Sequence, residues 1–123
     1  MTRYLVVDTE TTGLFDFAKP ADAAGQPRLA EFAGIVCTAD PSEPATEHRY
    51  LVRPDGWEMT ADGTEINGLT TEYLAERGAP VADVLAFYSA QIADGLIVVA
   101  HNAQYDTKIM RGEMRRADLP DLF

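Results

Sequence analysis

Two acidic side chains two residues apart open the chemical reading of this chain. In Val6-Val7-Asp8-Thr9-Glu10-Thr11-Thr12-Gly13, a short apolar run of strand formers leads into Asp8 and Glu10. Side chains two apart on a strand point to the same face, so the two carboxylates stand side by side. Like charges so placed repel unless a cation lies between them. An oxygen-rich, histidine-free pair suits magnesium or manganese rather than zinc. On spacing alone, a surface turn with two solvated acids accounts for the pair equally well. A second segment, Val98-Val99-Ala100-His101-Asn102-Ala103-Gln104-Tyr105-Asp106, carries another carboxylate just inside a helix-like stretch. If the strand before it lies parallel to the first, both deliver their C-terminal ends to one sheet edge, and Asp106 can join Asp8 and Glu10. Taken alone, Asp106 is better explained by the positive end of a helix dipole.

The elements that must position these residues follow from hydrophobic periodicity. Strands are expected near 4–8, 29–38, 48–53 and 96–100, with Gly34 as a bulge and 96–100 buried on both faces. Residues 14–28 hold Pro20, Gly25 and Pro27 and read as a loop. Short helices are expected between Thr60 and Gly78. Val81, Val84, Leu85, Tyr88 and Ile92 repeat with helical period and predict a helix over 81–93. A last helix is expected over about 102–117. Three early strands joined by short turns imply an antiparallel meander, and the helical crossover allows the fourth strand to lie parallel to the first. The expectation is an α/β domain with a mixed sheet ordered 3-2-1-4.

Composition narrows the class without deciding it. At 123 residues there is room for one core. The longest apolar run, Leu96–Ala100, is far short of a membrane span. The start of the chain enters a strand with no secretory leader pattern. The lone Cys37 has no disulfide partner and reads as a small buried hydrophobe, which points to a cytoplasmic location. A net charge of −10 argues against holding nucleic acid by general attraction. It does not argue against a nuclease, because bound divalent cations reverse the field locally.

At this point the residues carry a resemblance. VVDTETTG is similar to the first motif of the DEDD family of 3'→5' exonucleases, the proofreading exonucleases. VAHNAQYD resembles the second motif, with Tyr105 where phenylalanine is usual, and Ile66-Asn67-Gly68-Leu69-Thr70 resembles a segment between them. The likeness runs from Tyr4 to about Pro120. It implies a ribonuclease-H-like fold and two magnesium or manganese ions held by Asp8, Glu10 and Asp106. It further implies hydrolysis of nucleotides from the 3' end of a single or frayed strand, DNA in preference to RNA. Under this resemblance the backbone near Thr11 and Thr12, with Leu14, meets the terminal nucleotide, and Asn102 and Tyr105 shape the floor of the site. His101 sits at a strand–helix junction and is not expected to be the base. Arg111 and Arg115, four apart on the last helix, read as a solvated face or as phosphate contacts. A DNA polymerase is an implied partner.

The family's third motif, which brings a histidine or tyrosine and a fourth aspartate, is absent from these residues. The chain thus reads as a single incomplete exonuclease domain over 1–123, with a fifth strand missing and little activity by itself. The other readings are a non-catalytic ribonuclease-H-like module that binds nucleic acid or a polymerase, and an RNA-processing exoribonuclease.

Overall fold

A computed structural model describes residues 1–120. Its elements run β1 (Arg3–Thr11), β2 (Leu29–Thr38), β3 (Thr46–Leu51), α1 (Ala61–Asn67), α2 (Thr71–Arg77), α3 (Val81–Ala93), β4 (Ile97–Val99) and α4 (Ala103–Arg116). The sheet order is β3-β2-β1-β4. β1 and β2 are antiparallel, β2 and β3 are antiparallel, and β4 lies parallel to β1 with Tyr4 opposite Ile97 and Val6 opposite Val99. The expected mixed sheet and the return of the chain to β1 through a helical crossover are both present.

Alternation along β1 sets which residues face the core. Leu5, Val7, Thr9 and Thr11 are buried, whereas Asp8 is exposed and Glu10 half-buried on the other face. The buried side joins Leu29 and Phe32 of β2, Val84, Leu85 and Tyr88 of α3, and Ile109, Met110 and Met114 of α4. Burying side chains of this size stabilises by roughly 1.5–3 kcal/mol each. Both C-terminal helices therefore rest on one face of the sheet. Their seat places the first turn of α4 beside the end of β1.

Several expectations need correction. β1 continues to Thr11, so Asp8 and Glu10 lie within the strand, and the register shift falls between Glu10 and Thr11 rather than at Gly34. Gly34 pairs regularly. A Cβ there would come within 3.0–3.3 Å of Phe32, Leu5 and Phe87, so ring crowding selects the glycine. β3 starts and ends two residues earlier than expected. β4 is a three-residue edge strand whose Ile97 and Val99 are exposed, not a strand buried on both faces. Cys37 is half-buried rather than buried. α3 occupies the expected residues, and Gly95, with φ of 87°, turns the chain into β4.

The loop at 14–28 is built rather than loose. The buried Gln26 side chain donates to the carbonyls of Asp16 (2.8 Å) and Pro20 (3.1 Å), and its oxygen accepts from the Asp16 amide at 3.1 Å. At Gly112 a Cβ would stand 2.6 Å from the Ala21 carbonyl oxygen, so a glycine lets α4 press against this loop. On the far side of the loop, Glu113 accepts from the Arg28 guanidinium at 3.0–3.2 Å and from the Leu29 amide at 2.9 Å, fastening α4 to the start of β2. Among the described residues, no helix is long and apolar enough to cross a membrane.

Candidate active site

Asp106 is where the two motifs meet. It sits in the first turn of α4, buried, and its Oδ1 accepts from the Thr9 hydroxyl (2.5 Å) and the Thr9 amide (3.2 Å) of β1. Thr9 lies between Asp8 and Glu10, so the helix carboxylate is brought beside the strand carboxylates. Burial raises the pKa of Asp106 and the Asp8 charge adds to it, while the Thr9 bonds act the other way. Burial raises Glu10 too, followed by Asp8, Glu31 and Asp106, with Asn67 opposing. Each of these acids thus resists ionisation partly because of its acidic neighbours.

The three carboxylates share one neighbourhood but are not gathered round one point. Among the described residues, no three acidic, histidine or cysteine side chains form a set placed to grip an ion. The physical reason is the pair of bonds from Thr9, which draws Asp106 toward the buried face of β1 while Asp8 and Glu10 face the other way. The donor chemistry nonetheless fits a hard divalent cation. The donors are carboxylate oxygens without nitrogen or sulfur, and neighbouring charge raises Glu10 and Asp106, a cost that a cation relieves.

Beside Glu10 opens a cleft of about 590 Å³ lined by Thr9, Thr11, Gly13 and Leu14 from the end of β1, by α1 and by Tyr105. Leu14 is 86% exposed and Ile66 79% exposed, so two apolar side chains flank its mouth. The Tyr105 hydroxyl donates to the Gly13 carbonyl at 2.8 Å and lies 2.5 Å from the Thr11 hydroxyl, which also donates to Gly13 at 2.8 Å. Two hydroxyl protons can fill only two of these three contacts at a time, and either arrangement ties the turn after β1 to α4. Burial raises Tyr105 above the ordinary phenol range, with Thr11 opposing and Asp106 and Glu10 adding. A phenol held protonated among acids is a clamp, not a base.

The remaining expected residues divide. Thr11 and Leu14 line the cleft, but Thr12 does not. Its amide is taken by the Arg28 carbonyl, its hydroxyl by the Arg28 amide, and its carbonyl by the Thr60 hydroxyl, so it braces the cleft from behind. Asn102 caps the start of α4 with its backbone carbonyl and is exposed; it is not part of the cleft lining. His101 is exposed, and His48 of β3 packs at a tilt against Phe87 of α3, ring centroids 4.5 Å apart. Arg111 and Arg115 lie away from the carboxylates in a separate groove with Lys19 and Lys108. Sequence reasoning gave no role to Ile66 and Asn67, which line the cleft. Asn67 also donates to the Thr11 carbonyl at 3.1 Å. The signal was present in the stretch Ile66–Thr70, which stood out as a motif without an assigned function.

Comparisons with known proteins agree with this geometry. The sequence profile of the exonuclease family, RNase T, matches residues 5–120. A DNA polymerase III of PolC type from Lactococcus lactis is 29% identical over 117 residues, covering 95% of this chain and 6% of that protein. A DNA polymerase III subunit epsilon-like protein from Rhodobacter capsulatus is 29% identical over 108 residues, covering 88% of this chain and 14% of its own length. The chain therefore spans a small part of the curated relatives it matches. Among solved structures, the zinc-bound form of Escherichia coli exonuclease I with single-stranded DNA superposes with a TM-score of 0.80 at 19% identity, over 98% of this chain and 25% of that one. That likeness is one of fold.

Proposed function

We propose, from the premise that this chain belongs to the exonuclease family, that it is the catalytic part of a metal-dependent 3'→5' exonuclease. Its substrate is the 3' end of single-stranded or frayed DNA. The observation that carries this reading is the bond from Thr9 to Asp106, which ties a helix carboxylate to the strand segment that bears Asp8 and the cleft residue Glu10. Asp8, Glu10 and Asp106 are the residues that would hold two magnesium or manganese ions. Bound cations would supply a more acidic water and neutralise charge on the scissile phosphate. The protein's own part is positioning. Leu14 and Ile66 offer apolar surface to a terminal base, and Tyr105 with Asn67 fixes the Thr11–Gly13 backbone along which the nucleotide would lie.

The single-stranded DNA in the exonuclease I complex and the polymerase III character of the two relatives support DNA as substrate and a replicative polymerase as partner. The alternative reading is a module that binds nucleic acid or polymerase without cleaving. One observation favours it: the carboxylates are not gathered into a preformed ligand set. Calorimetric titration with manganese separates the two. Binding that weakens at least about tenfold in both Asp8→Ala and Asp106→Ala is expected, since each removes a charged ligand. Unchanged binding in both variants would refute a shared metal site.

A further inference from the structure

The cleft poses a problem for its proposed substrate, because Glu10, Asp62 and Glu65 line it and the chain carries 20 acids against 10 lysines and arginines. Phosphates upstream of the 3' end need cations placed elsewhere. The chain's two lysines, Lys19 and Lys108, and two of its arginines, Arg111 and Arg115, come together in one groove of about 390 Å³, between the loop after β1 and the outward side of α4. Four of the ten cations therefore stand in one place on an acidic protein.

The groove is preorganised. Gln26 holds the loop through Asp16 and Pro20, and Gly112 lets α4 close on Ala21. Phe17 on this loop is 51% exposed, with the Lys108 ammonium 4.7 Å from its ring centroid. Lys108 is steadied by the Lys19 carbonyl at 3.0 Å. Among the described residues, Arg115 pairs with Asp22 at 3.7 Å, and both side chains are substantially exposed. A solvated pair of this kind contributes little. A run of aromatic contacts links the groove to the separate cleft. Phe17 packs 5.9 Å from Phe15, and Phe15 meets the cleft residue Tyr105 edge-on at 5.3 Å. From Lys108 to Arg115 the helix rises about 10 Å.

We propose that this groove is a second nucleic-acid contact, in which Lys19, Lys108 and Arg115 hold upstream phosphates of a single strand while Phe17 stacks one of its bases. An aromatic platform beside a cationic track is the chemistry single-strand binding requires. The proposal rests on the exonuclease reading for the direction of the strand, but its test does not. The 123-residue chain is titrated with a fluorescent oligothymidylate in EDTA, where no hydrolysis occurs, at salt between about 50 and 200 mM. The double variant Lys19→Gln/Arg115→Gln should lower the slope of log affinity against log salt by about 1.4, or about 0.7 for each lost phosphate contact on a single strand. Phe17→Ala should weaken binding at least about fivefold with the slope unchanged, the loss of one stacked base. A control pair on other surfaces, Arg53→Gln/Arg77→Gln, should leave the slope alone. Equal slopes for wild type and the groove variant, an equal loss in the control pair, or no binding by the wild type would each overturn the proposal. Nucleotide release in manganese bears only on the exonuclease reading. A changed slope without any release would leave the groove standing and that reading fallen.

Discussion

Replacing Glu113 should loosen the seat of α4, and with it the position of Asp106. Glu113 is 2% exposed and accepts three bonds from Arg28 and one from the Leu29 amide, with Arg116 within 3.6 Å. Glu113→Ala removes the partner of a largely buried guanidinium, a change that costs about 3–5 kcal/mol where both charges are fully buried. It also orphans a buried amide, worth about 1–3 kcal/mol by itself. The Arg28 side chain keeps 23% exposure and can recover water, which places the total at the low end, about 3 kcal/mol. For a domain of this size that corresponds to a fall in Tm of roughly 10 °C. Glu113→Gln keeps an acceptor for Leu29 and should cost about half as much. Urea denaturation followed by circular dichroism measures both, with the m-value expected to hold. Manganese affinity should fall in Glu113→Ala although that residue is no ligand. A loss below about 1 kcal/mol in Glu113→Ala would show that apolar packing alone seats the helix, and would refute the reasoning.

Tyr105→Phe removes a hydroxyl from the Gly13 carbonyl, but Thr11 still donates there, so the cost should be only about 0.5–1.5 kcal/mol by thermal unfolding. Its effect on nucleotide release should fall on KM more than on kcat, since the clamp shapes the cleft rather than the chemistry. The raised pKa values of Glu10 and Asp106 mean that the folded chain binds protons more tightly than the unfolded one. Their contribution to stability is therefore present below the ordinary carboxyl range and is lost as pH climbs through the raised values. In EDTA, Glu10→Gln and Asp106→Asn should each gain stability relative to wild type as pH rises across that window, read as the difference between pH–Tm curves.

How much of this was legible depended on how local the cause was. The helix over 81–93 follows from its own apolar period, and the pairing of Asp8 with Glu10 follows from the strand's period of two. Residues 96–100 are apolar on both faces and read as buried, yet exposure there is set by β4 being an edge strand, which no local pattern contains. Gly34 looks like a bulge by composition, but Phe32, Leu5 and Phe87 from three different elements crowd the space its side chain would need. Thr12 sits in a motif that faces the site, while its polar groups are satisfied by Arg28 and Thr60, both distant in sequence. The Glu113–Arg28 pair joins residues 85 apart, so nothing in either neighbourhood announces it. What sequence shows is periodicity and motif; what it hides is which distant partner satisfies a polar group.

The rival account of Asp106, a carboxylate that only complements the start of a helix, can be weighed on bonding. A purely local role would turn its side chain back on the free amides of α4's own first turn. Here the Asn102 carbonyl accepts from the amides of Tyr105 and Asp106, and the Asp106 carboxylate, besides a weaker contact with its own amide, crosses to β1, where Thr9 supplies both a hydroxyl and an amide. The positive end of the helix favours a negative charge at this position, by about 0.3–1 kcal/mol in exposed cases. That help is outweighed, because burial and the Asp8 charge still leave the carboxyl harder to ionise than usual. A helix cap has no reason to be drawn beside two further acids at a net electrostatic cost. A divalent cation at the proposed site would repay that cost on binding.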